Sequence, residues 1–232
     1  MTNLIELKNL SKYYLINKKI YILKKINFKF KKGFIYSLVG PSGSGKSTLL
    51  NLISLVDKPS SGEIIIDKNI ISKNSNEKND EIRAKKIGII YQQNNLLNDF
   101  TAFENVCLAK LAVENNKEKA ISESNKIIKK FGLSNRLNHF PAELSGGEMQ
   151  RIAISRALVN KPSIILADEP TGSLDHTTSK QVFKILHNLR SPDRIIIYAT
   201  HNRLFANMAD CKLEIIDGNI KPSNERKYQK FL

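Results

Sequence analysis

The run Leu38-Val-Gly-Pro-Ser-Gly-Ser-Gly-Lys-Ser-Thr-Leu-Leu50 constrains this chain more than any other stretch. Gly40, Gly43 and Gly45 sit between an apolar segment and a Lys-Ser-Thr. Residues Gly40 to Ser47 fit the pattern G-x-x-x-x-G-K-[ST]. Glycines at these places let successive backbone N–H groups point into one concavity. The helix that follows adds about half a positive charge at its N-terminus. Such a loop is expected to hold a polyphosphate: Lys46 would reach the β- and γ-phosphates, and Ser47 would ligate Mg²⁺. The pattern works only with a buried strand before it and a helix after it. "FIYSLVG" (34–40) and "GKSTLLNLISLV" (45–56) supply both.

That demand for α/β architecture agrees with the rest of the chain. "EIIID" (63–67), "KIGIIYQ" (86–92), "SIILADE" (163–169), "RIIIYATH" (194–201) and "KLEIID" (212–217) are strand-length Ile/Val-rich runs. Strands buried on both faces have this composition. Val182, Ile185, Leu186 and Leu189 recur at helical spacing in "QVFKILHNLR" (181–190). The alternation predicts a mostly parallel sheet with helices. From Asn94 to about Asn160 no strand pattern occurs. There "KEKAISESNKIIKKFGL" (117–133) places Ile121, Ile128 and Phe131 on one helix face, with Ile127 beside it and Gly132 as the stop. "GGEMQRIAISRALVN" (146–160) predicts a further helix that ends before Pro162. "SKNSNEKNDE" (72–81) reads as a polar surface loop, and no long repeat is present.

Composition narrows the partners. The chain has 232 residues, 41% hydrophobic and 25% charged, enough for a proper core. Its 37 Lys+Arg against 22 Asp+Glu leave a net charge of +15. A charge of this size favours nucleic acid, anionic lipid or polyanionic ligands. The lysines are dispersed, however, and no five basic residues run together, so they read as a solvated surface. Cys107 and Cys211 form no C-x-x-C pair and no cluster with His, which predicts free thiols. No apolar run approaches the ~18 residues of a membrane span. The start, "MTNLIELKNLSKYY", lacks the order of a signal peptide.

A phosphate loop needs a second metal anchor and a group that acts on water. Asp168 ends the apolar run "IILAD", where α/β ligand sites form, and is expected to hold Mg²⁺. Glu169 follows and can polarise an attacking water. Ser145-Gly146-Gly147, in "AELSGGEMQR" (142–151), opens a helix and so makes a second anion site. One nucleotide would not need two such sites in one chain.

"LSGGE" at this distance before "ADEP" resembles the signature motif of ATP-binding-cassette (ABC) ATPases. Other motifs of that family occur in order. Gln92 is similar to the Q-loop glutamine, Ser173-Leu174-Asp175 to the D-loop and His201 to the switch histidine. Tyr14, in "SKYY", resembles the aromatic that stacks on adenine, with Tyr13 as the alternative. The likeness covers residues ~4–220. It implies a P-loop NTPase core of the ABC type: one ATPase domain over 1–232, with a helical subdomain at about 94–150 and an N-terminal β-rich part. It implies that ATP lies on Tyr14 and on Gly40, Pro41, Ser42, Gly43, Ser44, Gly45, Lys46, Ser47 and Thr48. Ser145, Gly146 and Gly147 would complete the site from a second copy, and Asp175 is a further nucleotide-binding residue that the resemblance implies. Mg²⁺ would be held by Ser47, Gln92 and Asp168. Glu169, His201 and Gln92 would carry catalysis: His201 contacts the γ-phosphate, and Gln92 bridges to a partner subunit.

"YQQNNLLNDFTAFENV" (91–106), "NHFPAELSGGEMQRIAISRALVNKP" (138–162) and "LADEPTGSLD" (166–175) most resemble the Lol branch of the family, the ATPases of lipoprotein-releasing transporters. MacB-like exporters of drugs or peptides and FtsE-like cell-division ATPases share much of these stretches. The likeness implies a homodimer under two integral membrane subunits of the LolC/LolE kind. It would lie peripherally on the cytoplasmic face of the inner membrane, without touching the lipoprotein itself. The chain ends about 30 residues after His201, which leaves no room for the regulatory domain of many importers. A soluble nucleic-acid ATPase is the reading that +15 alone would favour, and the architecture argues against it.

Overall fold

The computed structural model describes residues 3–223. In chain order the elements are β1 (Asn3–Leu15), β2 (Lys19–Lys31), β3 (Ile35–Val39), α1 (Lys46–Ile53), β4 (Ser61–Ile66), β5 (Asn69–Ile70) and α2 (Asn76–Lys86). They continue with β6 (Ile87–Ile90), α3 (Ala102–Leu111), α4 (Lys117–Lys130), α5 (Gly146–Leu158), β7 (Ile164–Asp168) and α6 (His176–Asn188). The last are β8 (Ile195–Ala199), α7 (Arg203–Asn207), β9 (Cys211–Ile216) and β10 (Asn219–Pro222). Two compact units form, one from the residues up to Asp80 and from Arg190 on, the other from Glu81–Leu189.

The first unit carries an antiparallel sheet in the order β2-β1-β4-β5. In β2, Ile26, Phe28 and Phe30 are buried while Asn27 and Lys29 are exposed, the period of a half-buried strand. Phe28, Phe30 and Tyr36 then meet edge to face, Phe30 and Tyr36 with ring centroids 4.9 Å apart. β3 is different. Ile35, Tyr36, Ser37 and Leu38 are all buried, and the strand pairs in parallel with both β8 and β9. A strand flanked on both edges and both faces is largely apolar, and its one buried serine, Ser37, is hydrogen-bonded. It delivers Gly40 at its C-terminal end. α7 is held by two buried side chains: Ser37 Oγ donates to Ala206 O (2.9 Å) and Tyr198 Oη to Phe205 O (2.7 Å). Burial pushes the Tyr198 hydroxyl far above its ordinary pKa.

The second unit pairs β6 and β7 in parallel and packs α3, α4 and α5 together. Its helical core gathers Ala102, Val106, Ile128, Leu133, Leu144, Ile152 and Val159. α3 starts on a capping box in which Thr101 and Glu104 satisfy each other's backbone N–H groups. α4 stops where Gly132 takes a positive φ, as its position predicted. No helix among the described residues is long and apolar enough to cross a membrane. The basic tail "NERKYQKFL" (224–232) lies outside the described residues.

Two expectations need correction. Residues 76–81 are not loop but the start of α2. Ser75 caps that helix through Lys78 N (3.4 Å to Oγ). Glu77 in the first turn and Arg83, Lys85 and Lys86 in the last complement the helix dipole. On α4 the buried stripe is Ala120, Ser124 and Ile128, and Ile121 is exposed. Small residues at 120 and 124 let α4 approach its neighbours closely, which turns Ile121 outward.

Candidate active site

In the first unit the sequence predicts a cradle, and the local geometry is that of one. Gly40 has φ 149°, and a side chain there would run into Ile215 O and Ser44 Oγ. Gly43 has φ 74° with nothing within 4 Å of where a Cβ would stand. The first position therefore demands glycine for space, and the second opens to an occupant. Gly45 precedes α1, and no side chain caps the helix there. The first N–H groups of α1 thus belong to no side chain of their own cap. Ser47 is exposed on that first turn, and Thr48 is half-buried behind it.

Lys46 is buried, 6% exposed. Its ammonium donates to Gly40 O and Pro41 O, both at 2.9 Å. The cation faces carbonyl dipoles and no carboxylate among the described residues. Ser44 Oγ is buried without a hydrogen-bond partner there. A desolvated cation, an unused hydroxyl and an uncapped helix start fit a phosphate chain. For Mg²⁺ the donor set is spare: no group of three or more His, Cys, Asp or Glu among the described residues could hold a metal ion. Ser47 can supply one ligand, and phosphate oxygens together with waters suit the rest of an octahedral shell.

His201 shares a hollow with Gly40 and Pro41, the first residues of this loop. Thr200 N donates to Leu38 O (3.2 Å), which anchors the residues after β8 beside β3. A hollow of about 560 Å³ is lined by Gly40, Pro41, Thr200 and His201, with Lys212 and Glu214 on β9. Lys46 and Ser47 do not line it. Tyr14 is 48% exposed near the end of β1, opposite Ile20 of β2. Tyr13 instead packs at a tilt on Tyr21, centroids 5.3 Å apart, with Lys19 Nζ over its ring, so Tyr14 has the freer ring.

The second unit gathers the other expected residues. Asp168 is the last residue of β7. Glu169 follows with φ 44°, a left-handed conformation that is strained for a side chain of this kind. Gly172 N donates to Glu169 O (3.0 Å) and closes that turn. Gln92 lies over Gly172, where a Cβ would come 2.8 Å from its Nε2. Gln92 O also accepts from Ser173 Oγ (3.3 Å). The segments carrying Gln92, Glu169 and Ser173 are therefore one cluster.

Ser145 is the N-cap of α5, but its hydroxyl is occupied. It accepts from Glu148 N (3.3 Å) and donates to Glu148 Oε2 (2.9 Å). The anion donors left at this helix start are backbone N–H groups. Gly147 has no room for a side chain, since Thr178 Cγ2 lies 2.6 Å from the Cβ position. Asp175 caps α6, accepting from Thr177 N (2.9 Å) and Thr178 N (3.0 Å). Hydrogen bonds from Thr178 hold its carboxyl below the ordinary carboxylate range.

Glu148 gives a pH test of the α5 start. The Arg136 guanidinium (2.7 Å) and then the Ser145 amide hold its carboxyl down at about 2, against a smaller desolvation effect. The folded value lies below the unfolded value of about 4.3. The stabilisation is therefore complete above that pH and disappears as pH falls toward about 2. Between these limits the wild type should lose thermal stability relative to Glu148→Gln. Parallel melting curves against pH would contradict this.

Two further residues bear on the site, and neither stood out in the sequence. Gln150 is fully buried on α5; its Nε2 donates to Pro170 O (2.8 Å) and lies 3.5 Å from Tyr91 O. One amide thus touches the neighbours of both Gln92 and Glu169. The available signal was a polar residue on the stripe Gln150, Ile154, Leu158 of an otherwise apolar helix face. Arg156 grips Asn94 O (2.8 Å) and Asn95 O (2.6 Å), and its burial lowers its pKa.

A family model described as ABC transporter matches residues 23–172. Over 222 residues the chain is 42% identical to the lipoprotein-releasing system ATP-binding protein LolD of Rickettsia bellii, covering 95% of this chain and 98% of the relative. It is 39% identical over 219 residues to the macrolide export ATP-binding/permease protein MacB of Mannheimia succiniciproducens, covering 94% of this chain and 34% of the relative. A solved dimeric structure of the ATP-binding cassette MJ0796 in a post-hydrolysis state, bound to ADP and Pi, superposes with a TM-score of 0.86. It shares 38% identity over 94% of this chain and 96% of that one.

Proposed function

The chain belongs to the ABC transporter family, and from that premise we propose that it is the ATP-hydrolysing subunit of a lipoprotein-releasing transporter. The observation that carries this is the 42% identity to LolD across nearly the whole length of both chains. The phosphate cradle around Lys46 supports it independently.

In this reading residues 1–232 form one ATPase domain with a helical subdomain at about 94–150. Tyr14 stacks on adenine. The loop from Gly40 to Thr48 receives the phosphates on its N–H groups, with Lys46 between the β- and γ-phosphates. Ser47, Asp168 and Gln92 are the residues that would hold Mg²⁺, which would supply neutralisation of the phosphate charge. Glu169 orients a water and draws on its proton as its oxygen attacks the γ-phosphorus. The bond from that phosphorus to the β,γ-bridging oxygen breaks, and ADP leaves with phosphate. His201 contacts the γ-phosphate oxygens. Two copies associate head to tail, so that Ser145, Gly146, Gly147 and Asp175 of one approach the nucleotide of the other. The donors offered are mainly the Gly146 and Gly147 N–H groups, since the Ser145 hydroxyl is shared with Glu148.

The partners are two integral membrane subunits, and the place is the cytoplasmic face of the inner membrane. ATP-driven closure of the dimer would pull on those subunits and free lipoprotein from the bilayer. Co-purification with the neighbouring membrane proteins, reconstitution and an assay of lipoprotein release test this. Release should need ATP and vanish with Glu169→Gln; release undiminished in that variant contradicts the proposal. The 39% identity to MacB supports a second reading, export of a macrolide-like compound. ATP-dependent efflux of such a compound, without lipoprotein release, would favour it.

A further inference from the structure

α1 begins at the phosphate cradle and ends at a loop that grips the strand bearing Tyr14. At its C-terminal end Asn51 O accepts from Val56 N (3.1 Å) and Asp57 N (3.2 Å). Asp57 Oδ1 in turn accepts from Lys12 Nζ at 2.7 Å, and Lys58 O accepts from the same ammonium at 2.9 Å. The Lys12 side chain is only 12% exposed, so this pair is not an ordinary surface bridge. Ser60 adds two further bonds across the same gap. Tyr13 N donates to Ser60 Oγ (3.1 Å), and Ser60 Oγ donates to Tyr13 O (3.2 Å). Ser60 N also reaches Ser11 O (2.9 Å). Residues 11, 12 and 13 are thus all fastened to the loop after α1. The next residue is Tyr14, and Lys12 Nζ lies over its ring, 5.3 Å from the centroid.

We propose that Lys12, Asp57 and Ser60 are positioning residues that hold the Tyr14 ring at a set span from the phosphate loop. This rests on the reading of Tyr14 as the base-stacking residue and of Lys46 as a phosphate ligand. An eight-residue helix is about 12 Å long. α1 therefore acts as a ruler, with Lys46 and Ser47 at one end and the clamp on Tyr14 at the other. The Lys12 cation occupies one face of the ring and leaves the other for a purine. Without the clamp, β1 and β2 still pair, but the last residues of β1 lose their tie to α1. Base and phosphates then no longer bind as one rigid ligand, and part of the ordering entropy falls on the binding step.

Titration of the purified full chain with Mg-ATP and with inorganic tripolyphosphate tests this. Wild type should bind Mg-ATP more tightly than tripolyphosphate, and Tyr14→Ala should remove the difference. Lys12→Met and Asp57→Asn should each weaken Mg-ATP by about tenfold and leave tripolyphosphate affinity unchanged. Unchanged tripolyphosphate binding also shows that the cradle is folded in both variants. Wild-type Mg-ATP affinity in both clamp variants overturns the proposal. So do equal losses for the two ligands, and so does a loss in Lys12→Met alone, which would mark a cation acting on phosphate rather than a clamp. If Tyr14→Ala keeps the full preference for Mg-ATP, the base-stacking reading itself fails, whatever the clamp variants do.

Discussion

Lys46→Ala should weaken Mg-ATP binding by about a hundredfold, roughly 2.7 kcal/mol. The ammonium is buried, and it spends its donors on two carbonyls of its own loop, Gly40 O and Pro41 O. Those bonds brace the loop around the place proposed for phosphate. They also leave a desolvated charge whose remaining attraction is for an anion. A charge-assisted hydrogen bond to phosphate is about twice as strong as a neutral one. The substitution removes that bond and the loop's internal brace together. The aromatic core of Phe28, Phe30 and Tyr36 and the parallel pairing of β3 do not depend on Lys46. Thermal unfolding should thus stay cooperative while calorimetric binding is lost. Wild-type affinity in Lys46→Ala would mean that the cradle is not the nucleotide site.

Glu169→Gln should leave Mg-ATP binding intact and reduce turnover by about a thousandfold. The amide has the shape of the carboxylate but cannot draw a proton from water. The backbone that aims this side chain is fixed by other groups: Gly172 N on Glu169 O, and Gln150 Nε2 on Pro170 O. The left-handed turn at Glu169 should therefore survive the change. Phosphate release in steady state gives the rate, and equilibrium binding of Mg-ATP gives the affinity. Near-normal turnover in the variant would remove Glu169 from the chemistry.

Much of this was legible in the amino-acid order, and the exceptions have physical reasons. All six Ile/Val-rich runs are strands; in β3, β7 and β8 burial on both faces leaves almost no polar residue to confuse the pattern, while in β4 and β9 the Ile and Leu positions still outweigh Glu63, Lys212 and Glu214. β1 and β2 were harder to see. Asn9 and Lys25 take positive φ, and the register between the two strands shifts several times, which breaks the alternation that marks an exposed sheet. α2 carries no periodic signal because it is polar almost all round, so its caps and charges define it. The site's motifs stood out because each is contiguous. Gln150 and the Lys12–Asp57 pair did not, since their partners lie 20 and 45 residues away in sequence. Asp175 shows the converse. Its motif is plain in sequence, yet its carboxylate caps the helix that follows.

In the proposed assembly one chain carries two halves of different sites, Lys46 and Ser47 for its own nucleotide and Gly146 and Gly147 for that of a second copy. The molar mass of the Glu169→Gln chain in saturating Mg-ATP tests this most directly. Because the variant binds ATP without hydrolysing it, light scattering should give twice the 26.3 kDa of one chain, falling back to one when ATP is replaced by ADP. A chain that remains at the mass of one copy while ATP is demonstrably bound, with its membrane partners present as well as absent, would contradict it.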